Sequence, residues 1–396
     1  MKDVIAMVLA GGRVDDMGVL TARRSMAAMP FGGMFRVVDF VLTNLSESGV
    51  RHVGILCQHR PRSLMDHVGI GRSWDYNGRT RELEFLPPYE GTREHDWYKG
   101  TADAVFQNLH ILERARPRDV LVLSGDHAYR MNYGPLLEFH RGTGADLTMV
   151  FKPMDCGRPS RFGIGVIEAG GRVVRYEEKP RDPPSDLASL TIYLFRYEVL
   201  AARLRENAAT GTTFHLYDEV IPRMVREDRV MGFVFDGGWE YLRPLDAWYD
   251  THMRMLSPEG FRVPMDRVVT NPEGQGLGDA SPAFFAPGAE VLASLVPPGC
   301  RIHGTVRRSV LFPGVVVEPG AIVEDSVLVN DVRVGSGTVV SRAVVDKGCV
   351  LGSCAVVGGH GGVTALGKEA RVVPGGRIAA GSEVPAGSVA GVEGER

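Results

Sequence analysis

Residues 310–345 read VLFPGVVVEPGAIVEDSVLVNDVRVGSGTVVSRAVV, and their spacing determines the architecture of the C-terminal part. Apolar residues recur there at every sixth position. The phase then changes, and the six-residue spacing resumes with Val350 and Val356. Gly314 and Gly320 each precede a member by two positions, where a tight corner needs a small residue. Six-residue periodicity predicts a β-solenoid with a triangular coil, whereas a β-sandwich would alternate at period two. The series is Val310, Val316, Ile322, Leu328, Val334 and Val340.

The region ahead of this repeat alternates short apolar runs with longer amphipathic segments. This alternation predicts a doubly wound α/β sheet, in which ligands bind at the carboxyl ends of the strands. Helical patterns cover residues 103–115 and 133–143. Four runs rich in β-branched residues predict buried parallel strands, at residues 4–9, 52–57, 120–124 and 147–151.

The chain length of 396 residues exceeds that of one ordinary domain. The change of pattern after the α/β region predicts two domains, residues 1–255 and residues 291–396. Between them, residues 256–290 are rich in proline and glycine, which predicts a linker.

Composition narrows the range of partners. Hydrophobic residues make up 44% and charged residues 23%, as in a globular protein, and the net charge of −3 favours neither nucleic acid nor an anionic membrane. No apolar run reaches the roughly 20 residues of a membrane span, and the N-terminal apolar stretch predicts a first strand instead of a signal peptide. The five scattered cysteines show no disulfide or metal spacing. We expect a cytoplasmic protein without nucleic-acid or membrane partners.

Two positions follow predicted strands directly. Leu9-Ala10-Gly11-Gly12 comes after the first strand, where a glycine pair lets backbone amides approach a phosphate or a nucleobase. Such a pair is also common in simple turns. Asp126 follows the strand at residues 120–124, at the edge where ligands bind in such sheets. It is a candidate metal ligand, or else a cap for the next turn.

Several ordered segments in both domains resemble the signature of glucose-1-phosphate adenylyltransferases. The resemblance implies synthesis of ADP-glucose and pyrophosphate from ATP and glucose 1-phosphate, in the biosynthesis of glycogen or starch. It also implies a Rossmann-like nucleotidyltransferase domain followed by a left-handed parallel β-helix, usually in a tetramer. The segments are residues 30–33 with Arg36 and Asp39, residues 100–105, 125–127 with Tyr129 and Met131, 177–180, 306–312, and Gly238-Trp239 with Asp246-Ala247.

The resemblance also implies roles for individual residues. Asp126 corresponds to a catalytic carboxylate that binds Mg²⁺, the expected cofactor. The nucleotide-binding positions are Leu9, Ala10, Gly11, Gly12, Gly100, Thr101 and Asp103. The sugar-phosphate positions are Glu178, Lys179, Ser189 and Tyr193. A phosphorylated allosteric effector is expected near the domain junction, with Arg36, Arg307 and Arg308 as candidate contacts.

The chain departs from the family pattern where phosphate and metal are expected. Val14 and Asp16 replace a glycine and the arginine that binds the triphosphate, and Met26 replaces a lysine. An acidic residue in place of a cation repels phosphate. Tyr241 replaces a metal-binding aspartate, although Glu240 or Asp236 could take its place by a local shift. The remaining departures are His215 and Leu216 in the sugar pocket, Thr191, and Met34 in the effector motif.

These departures favour a weakly active or regulatory subunit, in a homo-tetramer or in a hetero-tetramer with a catalytic paralogue. Loss of the arginine alone would remove two to four powers of ten in rate, by analogy with the loss of other charge-stabilising groups. Two alternatives stay open. One is a fully competent sugar-1-phosphate nucleotidyltransferase with a rearranged phosphate loop. The other is a non-enzymatic sensor of a sugar nucleotide or of a phosphorylated effector.

Overall fold

The computed structural model describes residues 1–88, 97–158, 160–257, 260, 261 and 263–391. Residues 258, 259 and 262 of the predicted linker lie outside the described residues, as do the last five residues of the predicted second domain. The N-terminal strands are β1 (Val4–Leu9), β2 (Pro30–Phe31), β3 (Phe35–Arg36), β4 (His52–Leu56), β5 (Glu82–Leu86), β6 (Asp119–Ser124), β7 (His127–Tyr129), β8 (Leu147–Pro153), β9 (Ile164–Ile167), β10 (Val173–Glu177), β11 (Leu187–Arg196), β12 (Val230–Val234) and β13 (Trp239–Tyr241). The helices are α1 (Val37–Glu47), α2 (Arg62–Val68), α3 (Thr101–Gln107), α4 (Leu109–Ala115), α5 (Gly134–Thr143), α6 (Tyr197–Thr210), α7 (Ile221–Glu227) and α8 (Leu245–Arg254). Short 3₁₀ turns cover Gly18–Thr21, Met26–Ala28 and Arg72–Trp74, and a π-helical turn covers Leu216–Val220.

The central sheet has the order β10-β9-β11-β6-β1-β4-β5, with β8 joined to β11 and β12. Strand β1 is parallel to both of its neighbours, and Leu9 lies opposite Leu56 of β4 and Ser124 of β6. The carboxyl ends of β1 and β6 therefore meet, which brings the glycine loop next to Asp126. Two apolar clusters line the sheet, and every residue of β1 except Leu9 is buried.

The predicted runs at 4–9, 52–57 and 120–124 do form adjacent parallel strands. The run at 147–151 also forms a strand, but β8 pairs antiparallel with β11 and parallel with β12, so the sheet is mixed. The sequence reading missed β11, whose ten residues separate β8 from β6. The helix predicted at 103–115 is broken at Asn108, whose side-chain amide donates to the carbonyl oxygen of Ala104 (2.9 Å).

The C-terminal region is a parallel β-helix with three sheets. Their orders are β14-β16-β19-β22-β25-β28-β31, β15-β17-β20-β23-β26-β29 and β18-β21-β24-β27-β30. The strands are β14 (Phe284–Phe285), β15 (Glu290–Leu292), β16 (Arg301–Ile302), β17 (Thr305–Arg307), β18 (Val310–Leu311), β19 (Val316–Val317), β20 (Ile322–Glu324), β21 (Val327–Leu328), β22 (Arg333–Val334), β23 (Val339–Ser341), β24 (Ala343–Val345), β25 (Val350–Leu351), β26 (Val356–Gly358), β27 (Thr364–Leu366), β28 (Arg371–Val372), β29 (Arg377–Ile378), β30 (Glu383–Val384) and β31 (Val389–Ala390).

The solenoid prediction is confirmed, but its phase needs correction. Thr305 pairs with Ile322, and Ile322 with Val339, so these coils repeat every 17 residues in the numbering. Three faces of six residues each would make a coil of 18 residues. Because these coils have 17, the predicted series occupies a different position on the strand in each successive coil. Leu328, Val334 and Val340 lie in the inner core, together with Leu311, Val317, Val323 and Leu351. Val316 and Val356 are partly exposed and Ile322 and Val350 are exposed, while Val310 is buried from outside by the first domain.

Both corner glycines behave as the sequence predicts. Gly314 has φ +80° and Gly320 has φ +73°, values that a residue with a Cβ rarely adopts. One later coil is longer: Val356 pairs with Arg377, 21 positions further on.

The first β-helix strand, β14, begins at Phe284, inside the range that the sequence analysis assigns to the linker. The preceding segment packs on the first domain, because the Val269 carbonyl accepts from Trp74 Nε1 (3.1 Å) and Asn271 donates to the His67 carbonyl (2.7 Å). None of the described helices has the length and apolar character that crossing a bilayer requires.

The two domains share an apolar core, which we call the interdomain cluster. It joins Met17, Leu20, Met26, Met29, Phe31 and Trp248 of the first domain to Val310, Phe312, Val327, Val344 and Val363 of the β-helix. Beside it, Arg24 forms a buried ion pair with Asp346. The Tyr249 hydroxyl donates to the carbonyl oxygen of Asp325 (2.6 Å). The first domain thus packs against the outward face of β18, β21 and β24.

His252 on α8 makes the stability of this junction sensitive to acid. Its Nδ1–H donates to the Trp248 carbonyl (2.8 Å), and its Nε2 accepts from the Gly32 amide (3.1 Å), so the buried ring is neutral. Burial lowers the pKa of His252 from 6.5 to about 4. Because the folded pKa is depressed, the stability present above pH 6.5 is lost as the pH falls toward 4, about 3 kcal/mol in all.

Urea unfolding at pH 7, 5.5 and 4 measures this loss. A His252→Gln variant should start from a lower stability but decline less steeply, because its side chain does not titrate. Equal slopes for the two proteins would show that His252 does not carry the effect.

Candidate functional site

A cavity of about 400 Å³ lies at the carboxyl ends of β1 and β6, and we call it the sheet-edge cavity. It is lined by the glycine loop, by Ser124 and Asp126, and by residues from the β9–β11 region and the loops around Thr101, His215 and Arg243. Of the residues that the sequence analysis selected for substrate or metal, the cavity brings together Leu9, Ala10, Gly12, Thr101, Asp126, Glu178, Lys179, Ser189 and Tyr193.

The glycine loop follows β1 closely. The Ala10 amide still donates to the Leu56 carbonyl (2.9 Å), and Gly12 and Val14 then line the cavity. Gly12 has open space around its Cα, as a ligand-facing glycine requires. Gly11 does not line the cavity. A Cβ there would lie 2.7 Å from the Gln58 backbone nitrogen, so its small size serves packing against the chain after β4.

Asp126 is partly buried at the floor of the cavity. Its Oδ1 accepts from the Ser124 hydroxyl and lies 3.4 Å from Nε2 of His127, while its Oδ2 is 3.8 Å from Nη1 of Arg243. Burial lowers the pKa of His127, which favours a neutral ring beside the carboxylate. The nearest cation to Asp126 in the described structure is therefore Arg243.

Arg243 is a site residue that the sequence analysis missed. Its Nε donates to Oδ1 of Asp16 (3.2 Å), so the guanidinium lies between Asp16 and Asp126. Asp16 itself does not line the cavity. The expectation that Asp16 repels a triphosphate stays a prediction, and the structure adds that Asp16 and Asp126 share the positive charge of Arg243. The signal in the sequence was an arginine two positions after Tyr241, in the same altered segment.

Met26 also has a different setting from the expected one. Its side chain is 3% exposed and belongs to the interdomain cluster, although part of it reaches the cavity wall. A thioether suits an irregular apolar gap of this kind. Met26 therefore supports the domain junction where the family pattern has a phosphate-binding lysine.

The carboxylates available for Mg²⁺ are few. On β13, Tyr241 lies opposite His127 and lines the cavity, whereas Glu240 points away and pairs with Arg254 (2.7 Å). Asp236 is exposed and does not line the cavity. The suggestion that Glu240 or Asp236 replaces the missing ligand is therefore not supported. Among the described residues no group of three His, Cys, Asp or Glu side chains suits a metal. The expected Mg²⁺ therefore stays a prediction, in which phosphate and water oxygens would supply ligands beside Asp126.

The predicted sugar-phosphate residues share one wall. The Tyr176 hydroxyl donates to Oε2 of Glu178 (2.7 Å), and Nζ of Lys179 lies 3.6 Å from its Oε1. Burial raises the pKa of Glu178. The Ser189 and Tyr193 hydroxyls are 3.4 Å apart, and burial raises the pKa of Tyr193 to about 12. The wall thus offers a cation, a carboxylate and neutral hydroxyls, which can bind a phosphorylated sugar.

The segment at the start of α3 is only partly in the cavity. Thr101 lines it, and its hydroxyl accepts from the Leu216 amide (2.9 Å). Gly100 does not line it, and its small size suits the close approach of Phe214, since a Cβ there would lie 2.3 Å from the Phe214 carbonyl oxygen. Asp103, in the first turn of α3, does not line the cavity, and its carboxylate accepts from the Lys99 amide (2.9 Å) of the segment that enters the helix. The structure thus gives Gly100 and Asp103 structural contacts, and their predicted nucleotide contacts stay predictions.

His215 and Tyr217 form a flat surface that the sequence analysis did not identify. Their rings are stacked with centroids 4.8 Å apart and an interplanar angle of 17°. Both line the cavity, and Nζ of Lys179 lies 5.9 Å from the Tyr217 ring centroid. An apolar ring surface next to a cation can pack against a sugar or a base.

The three candidate effector residues lie outside the sheet-edge cavity and already have partners. Arg36 donates to the Ser63 carbonyl (2.9 Å), and its pKa is lowered to about 10 chiefly by burial. Arg307 pairs with Glu290 (2.9 Å). Arg308 pairs with two acidic residues, Glu324 (2.9 Å) and Asp325 (2.7 Å), on the β-helix surface.

Comparison with known proteins agrees with this architecture. Residues 5–257 match the family model described as nucleotidyl transferase, and residues 286–363 match a GlmU-like C-terminal hexapeptide model. The hexapeptide match and the three parallel sheets are consistent with a left-handed β-helix.

Three curated relatives share one name. A Thermotoga maritima protein called glucose-1-phosphate adenylyltransferase is 42% identical over 323 residues, which is 80% of this chain and 75% of that protein. Proteins of the same name from Clostridium perfringens and Thermosipho africanus are 37% and 35% identical, over 80% of this chain and 80% and 77% of their own lengths. With two thirds of each relative covered at this identity, the chain belongs to the glucose-1-phosphate adenylyltransferase family.

Proposed function

We propose that this chain binds ATP and glucose 1-phosphate in the sheet-edge cavity, converts them to ADP-glucose and pyrophosphate only slowly, and acts as a weakly active or regulatory subunit. One observation carries the proposal. Asp126 faces Arg243 and Tyr241 where efficient transfer calls for a second carboxylate and a metal ion.

The reaction itself sets the requirement. A sugar phosphate attacks the α-phosphorus of the nucleotide and pyrophosphate leaves, so catalysis consists mainly of positioning and of neutralising charge. The cavity retains positive side chains for binding, namely Arg13, Arg161, Lys179 and Arg243. Of the two carboxylates in the described lining, Glu178 pairs with Lys179 (3.6 Å) on the sugar-phosphate wall, and Asp126 faces Arg243. Binding without fast turnover follows from that combination.

Magnesium enters this proposal as part of the substrate. Because Glu178 pairs with Lys179, Asp126 is the other carboxylate of the described lining, and Mg²⁺ would arrive on the phosphate oxygens of ATP instead of being held by the free protein. Asp126 is the residue that would contact it. Ser124 and His127 hold the orientation of that carboxylate from the other side.

The remaining parts of the proposal rest on the family relationship. We propose a cytoplasmic role in glycogen biosynthesis and assembly as a homo-tetramer, or as a hetero-tetramer with a catalytic paralogue. A phosphorylated effector would bind near Arg36, with Arg307 and Arg308 as further contacts. The ion pairs of both β-helix arginines would have to open for this.

Pyrophosphate release with Mg-ATP and glucose 1-phosphate tests the function. The purified chain alone should bind both ligands in a calorimeter but release pyrophosphate at least about 100-fold more slowly than a family member with the intact arginine, lysine and aspartate. An ordinary rate would instead support a competent enzyme with a rearranged phosphate loop. Binding with no turnover, and no effect on a catalytic paralogue, would support a sensor.

A further inference from the structure

Arg243 occupies a position in the cavity that no other described cation shares. Its side chain is 27% exposed and touches two acids, Asp16 at 3.2 Å and Asp126 at 3.8 Å. Burial and these neighbours act in opposite directions on its pKa, and the net effect raises it, so the guanidinium stays charged.

The other cations of the cavity are less enclosed. The Arg13 side chain is 72% exposed and pairs with Asp15, and Lys179 is 59% exposed and pairs with Glu178. Only Arg243, among the paired cations of the described lining, reaches the floor beside Asp126. A phosphate group that enters the cavity toward Asp126 therefore meets a guanidinium.

We propose that Arg243 performs at Asp126 the charge neutralisation that a divalent cation would supply, so that the cavity binds a nucleoside-diphosphate sugar without divalent metal. This inference rests on the proposed function, since it concerns the same ligands and the same cavity. It adds that metal and Arg243 compete for one carboxylate.

The physical reason is the charge balance at the floor. Two carboxylates close to a diphosphate would repel it, and the repulsion is strong where water is partly excluded. The guanidinium cancels one of the two negative charges and also presents N–H donors that fit phosphate oxygens. A magnesium ion would have to displace Arg243 from Asp126 to reach the carboxylate. Adding metal should therefore change the affinity little.

Calorimetric titration with ADP-glucose, in EDTA and in Mg²⁺, tests the inference. The unaltered chain should show dissociation constants within about threefold of each other in the two buffers. Arg243→Ala should lose at least about 10-fold in affinity in EDTA, from the lost charge-assisted hydrogen bonds, and should recover part of it in Mg²⁺. Arg243→Lys, which keeps a point charge, should lose less than Arg243→Ala.

A matched control and a second variant separate this from a folding defect. Arg254→Ala breaks the ion pair with Glu240, which faces away from the cavity, and should leave ADP-glucose binding unchanged in both buffers. Adding Asp126→Asn to Arg243→Ala removes the uncompensated carboxylate, so affinity in EDTA should return toward that of the unaltered chain.

The outcomes distinguish the two proposals. If the unaltered chain binds ADP-glucose only in Mg²⁺, the inference about Arg243 fails while the proposed function stands. Equal affinity of Arg243→Ala and the unaltered chain in EDTA would also overturn the inference. If the unaltered chain binds ADP-glucose in neither buffer, the proposed function itself is overturned.

Discussion

Replacing Asp346 by alanine is expected to lower the free energy of unfolding by about 3–5 kcal/mol, because it leaves a buried arginine without its partner. The side chains of Arg24 and Asp346 are 7% and 2% exposed, and they form an ion pair across the domain junction. The Lys347 amide also donates to Asp346 (2.7 Å) and would lose its acceptor. Urea unfolding at neutral pH measures the change.

A neighbouring pair provides the control. Arg23 pairs with Glu369 at 2.8 Å across the same junction, but both side chains are about half exposed. Arg23→Ala should therefore cost at most about 1 kcal/mol. Replacing both buried partners, as Arg24→Met with Asp346→Leu, should recover most of the stability because no charge is left buried alone. A loss below 1 kcal/mol for Asp346→Ala would show that water reaches Arg24.

A triple variant, Asp16→Arg, Tyr241→Asp and Arg243→Gly, is expected to release pyrophosphate at least about 100-fold faster than the unaltered chain. The variant moves the arginine from position 243 to position 16 and the aspartate from position 16 to position 241. Its net charge therefore equals that of the unaltered chain. Position 241 lines the cavity near Asp126, so an aspartate there completes a two-carboxylate magnesium site. Rates with Mg-ATP and glucose 1-phosphate, with and without EDTA, measure the gain.

The matching variant carries Tyr241→Phe in place of Tyr241→Asp. It has the same changes at positions 16 and 243 but no second carboxylate, so its rate should stay near that of the unaltered chain. Fast turnover in this variant would show that the carboxylate is not the missing group. A triple variant that binds both substrates yet stays slow would place the defect elsewhere, for instance at Met26.

The sequence predicted the architecture well because the signals are local. A six-residue spacing and β-branched runs report on neighbouring residues, and they identified the β-helix and the central strands. The inner face of the coils was misassigned because a 17-residue coil shifts the phase, which shows only when Thr305, Ile322 and Val339 are seen to pair. Strand β11 was missed because its antiparallel partners are distant in the chain.

The site was harder to predict because its decisive contacts are non-local. Arg243 and Asp16 are 227 positions apart, so Asp16 alone does not reveal the positive charge that lies beside it. Gly11 and Gly100 are predicted nucleotide contacts, and the structure adds a second reason for their small size, because another backbone passes close to each. Met26 looked like a lost lysine, and its burial against the β-helix gives that residue a structural reason. In each case the residue type was informative only once its neighbour was known.

The interdomain cluster has a consequence for synthesis on the ribosome. The first domain emerges with Met17, Leu20, Met26 and Trp248 uncovered, and their last partner, Val363, follows about 100 residues after Val263 of the same cluster. At a synthesis rate of 5 to 20 residues per second, this apolar face stays exposed for about 5–20 s before Val363 is made. During this interval, the exposed apolar face of the nascent chain is a surface that a chaperone can bind.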